Sequence, residues 1–168
     1  MGNGDGDSTT GAISIRNYEA ADRPECLEVF DSNLPSFFAP DERELFEAFL
    51  DDLPGPYMVL VEPAGRVLAC GGYALAEAGR RADMCWGMVR HVLHGQGLGR
   101  KLTEARMRHV REEPTVREIA LNTSQFTSAF YQRMGFELVS VERDGYSPGL
   151  DRCEMRLRIG GPASGSGQ

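Results

Sequence analysis

The segment His94-Gly95-Gln96-Gly97-Leu98-Gly99-Arg100-Lys101 places glycine at every second position, ahead of a run with helical periodicity. Glycine there lets the backbone turn sharply and come close to a ligand. The unpaired N–H groups of the helix's first turn then point at an anion, and Arg100 and Lys101 add positive charge where a pyrophosphate would lie. Plain turn chemistry before a helix has the same composition, so the spacing has to discriminate. A Walker loop needs Gly-Lys after four intervening residues, and Arg100 stands where that glycine is required. A Rossmann fingerprint needs G-x-G-x-x-G in a parallel βαβ unit; here the third glycine comes one residue early and an antiparallel meander precedes it.

Other side chains suited to chemistry are spread along the chain. His91 and His94 flank the loop, and histidine titrates near neutrality; His94 follows the loop pattern and reads as a loop-supporting residue rather than a base. His109 falls on the apolar stripe of the following helix and reads as a hydrogen-bonded core histidine. Asp41, Glu42, Glu44, Glu47, Asp51 and Asp52 form an acidic region, either a rim for a cationic amine or a solvated helix face. Cys26, Cys70, Cys85 and Cys153 sit in apolar segments without C-x-x-C spacing, the pattern of buried free thiols rather than of disulfides or a zinc site. No metal is expected.

The elements that must position these groups follow from periodicity. Ala12–Asn17 alternates as a strand. Asp22 reads as the N-cap of a helix, with Pro24 in its first turn, Glu25 completing a capping box, and Cys26, Leu27 and Phe30 on its apolar face. A second helix starts near Pro40, buries Leu45, Phe46, Phe49 and Leu50, and stops at Leu53-Pro54-Gly55-Pro56. Three strands, Tyr57–Glu62, Arg66–Ala76 and Ala82–His91, are joined by short turns and form an antiparallel meander. A helix runs from the glycine loop to about Glu112 with Leu98, Leu102, Ala105 and His109 on one face. Val116–Asn122 is a strand, Thr127–Met134 a short helix ending at Gly135, and Phe136–Glu142 and Cys153–Ile159 are two last strands joined by a Gly/Pro loop. The order β-α-α-β-β-β-α-β-α-β-β describes an α+β, or mixed α/β, domain with its ligand site at the middle strand, glycine loop and helix.

Composition sets the outer limits. The chain has 168 residues, 41% hydrophobic and 26% charged, ordinary for a soluble globular domain. Residues 1–10 and 160–168 are too poor in apolar surface to order and read as disordered tails, leaving a single domain over 11–159. With 18 basic and 25 acidic residues the net charge is −7, which disfavours a broad nucleic-acid surface. No apolar run approaches the roughly 20 residues of a membrane span, and the N-terminus lacks the charged start and apolar centre of a secretory signal. A cytoplasmic location is the expectation.

The loop resembles motif A of the GNAT superfamily of N-acetyltransferases, [QR]-x-x-G-x-[GA], with His94 at the Gln/Arg position and Gly97 and Gly99 at the glycine positions. A second block, Leu121 to Phe136, is similar to the family's late strand–helix segment ending in F/L-Y-x-x-x-G-F. The order of elements from Ile13 to Ile159 also corresponds. The resemblance implies a mostly antiparallel, twisted sheet of about seven strands carrying four helices, with acetyl-CoA as co-substrate. By position-matching, the backbone N–H groups of Gly95, Gln96, Gly97, Leu98, Gly99 and Arg100 would hold the pyrophosphate. Gly87, Met88 and Val89, on a bulged strand splayed from its neighbour, would pair with the pantetheine arm, the Val89 N–H polarising the thioester oxygen. Asn122 and Ser124 would add cofactor contacts from the late strand.

For catalysis the resemblance implies Tyr131 as general acid for the leaving thiolate, whose model thiol pKa is about 8.5; the alternative is a packed aromatic with a satisfied hydroxyl. An alkyl ammonium, pKa about 10.4, must first lose a proton. Asp83 falls near the family's basic glutamate and would act through water; it is equally an exposed residue at a strand start. The acceptor pocket would be walled by Phe37, Phe38 and Phe46, with Tyr146 and Asp151 reaching in from the other side. Relatives that acetylate protein N-termini often carry a late-strand Glu and an Asn seven residues before the Tyr, where this chain has Ile119 and Ser124; Asn122 and Gln125 are the residues near enough to replace them. The expected partner is a small amine, with a homodimer through the late strands compatible with the family. A non-catalytic acyl-CoA-binding module and a protein lysine or N-terminal acetyltransferase are the alternatives.

Overall fold

A computed structural model describes residues 12–160; the tail readings for 1–10 and 160–168 fall outside the described residues, except for Gly160, which is exposed. Seven strands, β1 (Ser14–Asn17), β2 (Tyr57–Val61), β3 (Val67–Ala76), β4 (Arg81–Val89), β5 (Glu118–Thr123), β6 (Glu137–Ser147) and β7 (Leu150–Arg158), form one sheet in the order β1-β2-β3-β4-β5-β7-β6. Four α-helices accompany it: α1 (Arg23–Ser32), α2 (Glu42–Asp51), α3 (Leu98–Glu112) and α4 (Ser128–Arg133). All neighbours pair antiparallel except β4 and β5. This is the α+β architecture expected from the element order.

The sheet is covered on both faces, which is why β2 is apolar at every position rather than alternating. Tyr57, Val59 and Val61 join Cys26, Phe30 and Phe46 under α1 and α2, while Met58 and Leu60 join Leu98, Leu102 and Ala105 under α3. Helix α3 crosses the sheet obliquely. Its first half packs on β2 and β3 through Leu98 and Leu102, and its second half packs on Ala82 and Ile119 through Met107 and Val110. The buried face therefore rotates along the helix. That rotation corrects the reading of His109, which is exposed, while Thr103, Arg106 and Met107 are buried instead.

Three local readings also change. Asp22 occupies the position before α1 but its carboxylate does not cap that helix. It is held by Arg16 at 2.7 and 2.8 Å and accepts the Glu19 N–H at 2.8 Å. Glu25 likewise turns away, accepting the Val67 N–H at 2.6 Å. The Gly/Pro loop expected between the last strands is mostly strand: β6 and β7 run to a tight turn, with Ser147 opposite Leu150 and Gly149 at φ 80°. All four cysteines are free thiols, but Cys85 is only half-buried.

Candidate active site

Strand β4 breaks its register with β3 where the ligand site was expected. Cys70 faces Met88 and Gly72 faces Cys85, so β3 advances two residues while β4 advances three. The extra residue makes a β-bulge, with Trp86 at φ 42°. A non-glycine residue in that region costs about 1–3 kcal/mol and persists only where its surroundings impose it. Here the Tyr57 hydroxyl donates to the Trp86 carbonyl at 2.9 Å, and the indole is packed among Phe30, Phe38, Phe46 and Phe49.

On its other side β4 pairs with β5 only from Arg81 to Asp83, opposite Glu118 to Ala120. Beyond that the two parallel strands diverge, and Leu121 to Thr123 continue on β7 alone. The edge of β4 from Met84 to Val89 is left without a strand partner inside the sheet. Backbone groups on such an edge take up an extended amide chain readily. The orientation of Val89 follows from the register. The Arg90 N–H donates to the Leu68 carbonyl at 2.9 Å. The adjoining pair, Val89 opposite Ala69, is therefore non-hydrogen-bonded, and the Val89 N–H and C=O face the opening rather than β3. The carbonyl accepts from Asn33 Nδ2 and lies 2.9 Å from His94 Nε2. His94 thus ties the loop to the strand end.

The glycine loop follows directly. Gly95 and Gly97 have φ of 79° and 82°, and a Cβ on either would meet nothing within 4 Å. The first helical bond of α3 is from the Lys101 N–H to the Gly97 carbonyl at 3.1 Å. Among the described residues, none of the N–H groups of Gly95, Gln96, Gly97, Leu98, Gly99 and Arg100 donates to any acceptor. This row of unsatisfied donors at a helix start, with two left-handed glycines, has the geometry of an anion cradle. The basic side chains are engaged elsewhere: Arg100 pairs with Glu104 at 2.8 Å, and Lys101 reaches the Ile13 carbonyl at 3.4 Å.

Helix α4 lies beside the loop. Phe130 lies close enough to α3 that a Cβ on Gly99 would stand 3.7 Å from its Cζ. Tyr131 is half-buried, its ring 5.6 Å from that of Phe136, and its hydroxyl has no hydrogen-bond partner among the described residues. Ser124 is buried and its side chain accepts the Phe126 N–H, turning the chain into α4, whereas Asn122 is exposed. Gln125 clamps the β6–β7 turn, donating to the Gly149 carbonyl and accepting the Asp151 N–H, both at 2.8 Å. Asp151 in turn accepts the Asp144 N–H.

The opposite face of the sheet carries the other residues. Asp83 has both carboxylate oxygens on Arg81, at 2.6 and 3.1 Å. Phe46 is fully buried core rather than pocket wall, and Phe38 stacks on Phe30 at 4.9 Å. Phe37 leaves them for the loop, its ring 5.0 Å from His94 and 6.3 Å from Phe126. Tyr146, at the hairpin tip, is half-buried; burial pushes its hydroxyl up to about 12, and the nearby Glu42 carboxylate adds to the rise. Glu42 itself is raised by burial, which outweighs the Ala39 N–H donated to it at 2.6 Å, with Asp41 adding repulsion. One turn before Phe46, it shares that residue's inward face of α2.

Reasoning from the sequence missed Arg106, Asn33 and the individual role of Glu42. A charged residue within a helical stripe reads as solvated, and only the three-dimensional crossing of α3 buries Arg106. A separate concavity of about 650 Å³, lined by Glu77, Arg80, Arg81, Arg117 and Arg158, lies at the closed end of the β4–β5 pair, away from the loop.

Residues 37–159 match the family model described as Acetyltransferase (GNAT) domain. No curated protein matches the chain. Among solved structures it is similar to the ribosomal-protein-S18-alanine N-acetyltransferase from Escherichia coli, with TM-score 0.74 and 19% identity, covering 94% of this chain and 99% of that one. It is similar also to a GNAT superfamily phosphinothricin acetyltransferase from Sinorhizobium meliloti in complex with acetyl-CoA, with TM-score 0.72 and 19% identity, covering 90% and 91%. An aminoglycoside 6'-N-acetyltransferase complexed with coenzyme A gives TM-score 0.72 at 12% identity, covering 89% and 99%. At these identities the likeness is one of fold, and it is the family match, over most of the chain, that places the protein within the GNAT acetyltransferases.

Proposed function

We propose that this acetyltransferase moves the acetyl group of acetyl-CoA onto the primary amine of a small, cationic molecule, with Tyr131 as general acid. The observation that carries the reading is the continuity of the open β4 edge with the N–H cradle at Gly95 to Arg100. A thioester on a long amide arm that ends in a pyrophosphate matches that sequence of donors and acceptors. Acetyl-CoA supplies an activated acyl carbon and a sulfur leaving group.

The chain's own residues account for the rest. The Val89 N–H, facing the opening, is placed to donate to a carbonyl oxygen as it gains charge. The free Tyr131 hydroxyl is available to donate a proton to sulfur. Asp83, paired with Arg81, is the expected base acting through water. On the acceptor side the half-buried Glu42 carboxylate, Tyr146 and Phe38 offer one negative charge amid aromatic surface, which suits a cationic amine.

The test is a screen of CoA release over polyamines, aminoglycosides, basic amino-acid derivatives and peptides with free N-termini. Turnover of one cationic small-amine class well above the peptides supports the reading. Faster acetylation of peptides moves the assignment to a protein acetyltransferase. Tight cofactor binding without turnover on any amine moves it to a binding module.

A further inference from the structure

Arg106 is 1% exposed, yet no carboxylate pairs with it among the described residues. Its Nη1 lies 3.5 Å from the Gly72 carbonyl and its Nη2 3.4 Å from Thr103 Oγ1, both long contacts, and its Nε has no partner. The guanidinium is pressed against the strand glycines at the bulge. A Cβ on Gly87 would stand 2.6 Å from Nη2, and one on Gly71 3.3 Å from Cζ. A buried cation without a counter-ion is strongly disfavoured, and an apolar side chain of similar volume fills such a place on a helix without that cost. The charge reaches its surroundings: it lowers the Cys85 thiol and the Tyr57 hydroxyl against the burial that raises both.

A negative charge that arises during function gives this arrangement a purpose. Acetyl transfer supplies one. The amine nitrogen bonds to the acyl carbon, the C–S bond breaks, and sulfur leaves with the bonding pair. One N–H proton passes to a base, and sulfur takes one proton from Tyr131, which solvent replaces. Until that proton arrives the sulfur is an anion. We infer that Arg106, fixed beneath the β4 bulge at Gly87, is the electrostatic partner of the leaving sulfur and stabilises it through space. The inference rests on the reading that acetyl-CoA lies along β4.

The experiment compares CoA with desulfo-CoA, in which hydrogen replaces the thiol, by titration calorimetry between about pH 6.5 and 9.5, a range that spans the model thiol pKa of about 8.5. Wild-type protein should prefer CoA to desulfo-CoA about tenfold more strongly at the alkaline end than at the acid end, the equivalent of a one-unit drop in the bound thiol's pKa. Arg106→Met should abolish the rise while binding desulfo-CoA as wild type does. If that variant does not fold, Arg106→Gln, which keeps polar reach without charge, decides in the same way. A flat preference in wild type, or a rise that survives loss of the charge, overturns the inference. Failure of folded wild type to bind desulfo-CoA at all sinks the cofactor reading itself instead.

Discussion

Asn33 Nδ2 donates to the Val89 carbonyl at 2.9 Å, joining the end of α1 to the last residue of β4 across 56 positions of sequence. The same nitrogen donates to the Val29 carbonyl at 2.8 Å, and the side chain is 2% exposed. A helix on one face of the sheet thereby fixes the strand edge that faces the opening. Asn33→Ala should lose about 1–3 kcal/mol of stability, the usual effect of leaving a buried acceptor short of a donor. Acetyl-CoA affinity should fall with it. Urea unfolding and calorimetry on the same preparation check the two effects, and a stable variant of unchanged affinity would show that Val89 is held by His94 alone.

Gly97, at φ 82° with open space around its Cα, tests the cradle without a steric clash. Gly97→Ala should cost about 1–2 kcal/mol through left-handed strain alone. Because that strain reorients the N–H groups of the first turn, the Kd for acetyl-CoA should rise by more than the loss of stability implies. Equal affinity in the variant would mean that the loop is only a turn.

Tyr131→Phe removes a hydroxyl that no other described residue engages, so the fold should be unaffected. Turnover should fall by about a hundredfold or more, within the range for loss of a general acid, while CoA affinity stays constant. Rapid-quench measurement of the chemical step separates this from slow product release. Unchanged turnover would leave Tyr131 as a packed aromatic.

Glu42 carries a pH signature. Its pKa is raised by burial. A carboxyl group raised in the folded state stabilises the fold most when protonated, and that contribution is lost as pH rises through its folded value. Glu42→Gln should therefore be more stable than wild type at neutral pH, with the difference vanishing below the ordinary carboxylate value of about 4.3. If the carboxylate also receives the cationic amine, KM for that amine should rise in the same variant. Thermal melts across pH and steady-state kinetics read the two effects separately, and a variant that is less stable at neutral pH would contradict this account of Glu42.

The backbone geometry of the candidate site was legible in the sequence, because sharp turns leave a glycine signature: Gly95, Gly97 and Gly99 stand at the start of α3, and Gly135 ends α4 at φ 100°. Strand-sized runs separated by short turns likewise placed the meander. The side-chain environment was less legible, since it depends on how elements cross. His109 shares the stripe of Leu98 and Ala105, but α3 leaves β2 and β3 before reaching it, and Arg106 is buried in the same rotation. Phe46 and Phe37 both look like pocket aromatics; one is core and the other lies beside His94. Asp22 and Glu25 fit a capping pattern, yet Arg16 and the Val67 N–H compete for their carboxylates and win. Local patterns state what a residue can do, and long-range partners decide what it does.

Under the proposed function, the β4 edge and the glycine loop together hold acetyl-CoA. Titration calorimetry of the purified protein with acetyl-CoA, CoA and ATP tests it most directly. Saturable one-to-one binding of acetyl-CoA and CoA is expected, with little response to ATP, because the loop and the strand edge act together on one extended ligand. Absence of acetyl-CoA binding by folded protein, or equal binding of ATP, would contradict it.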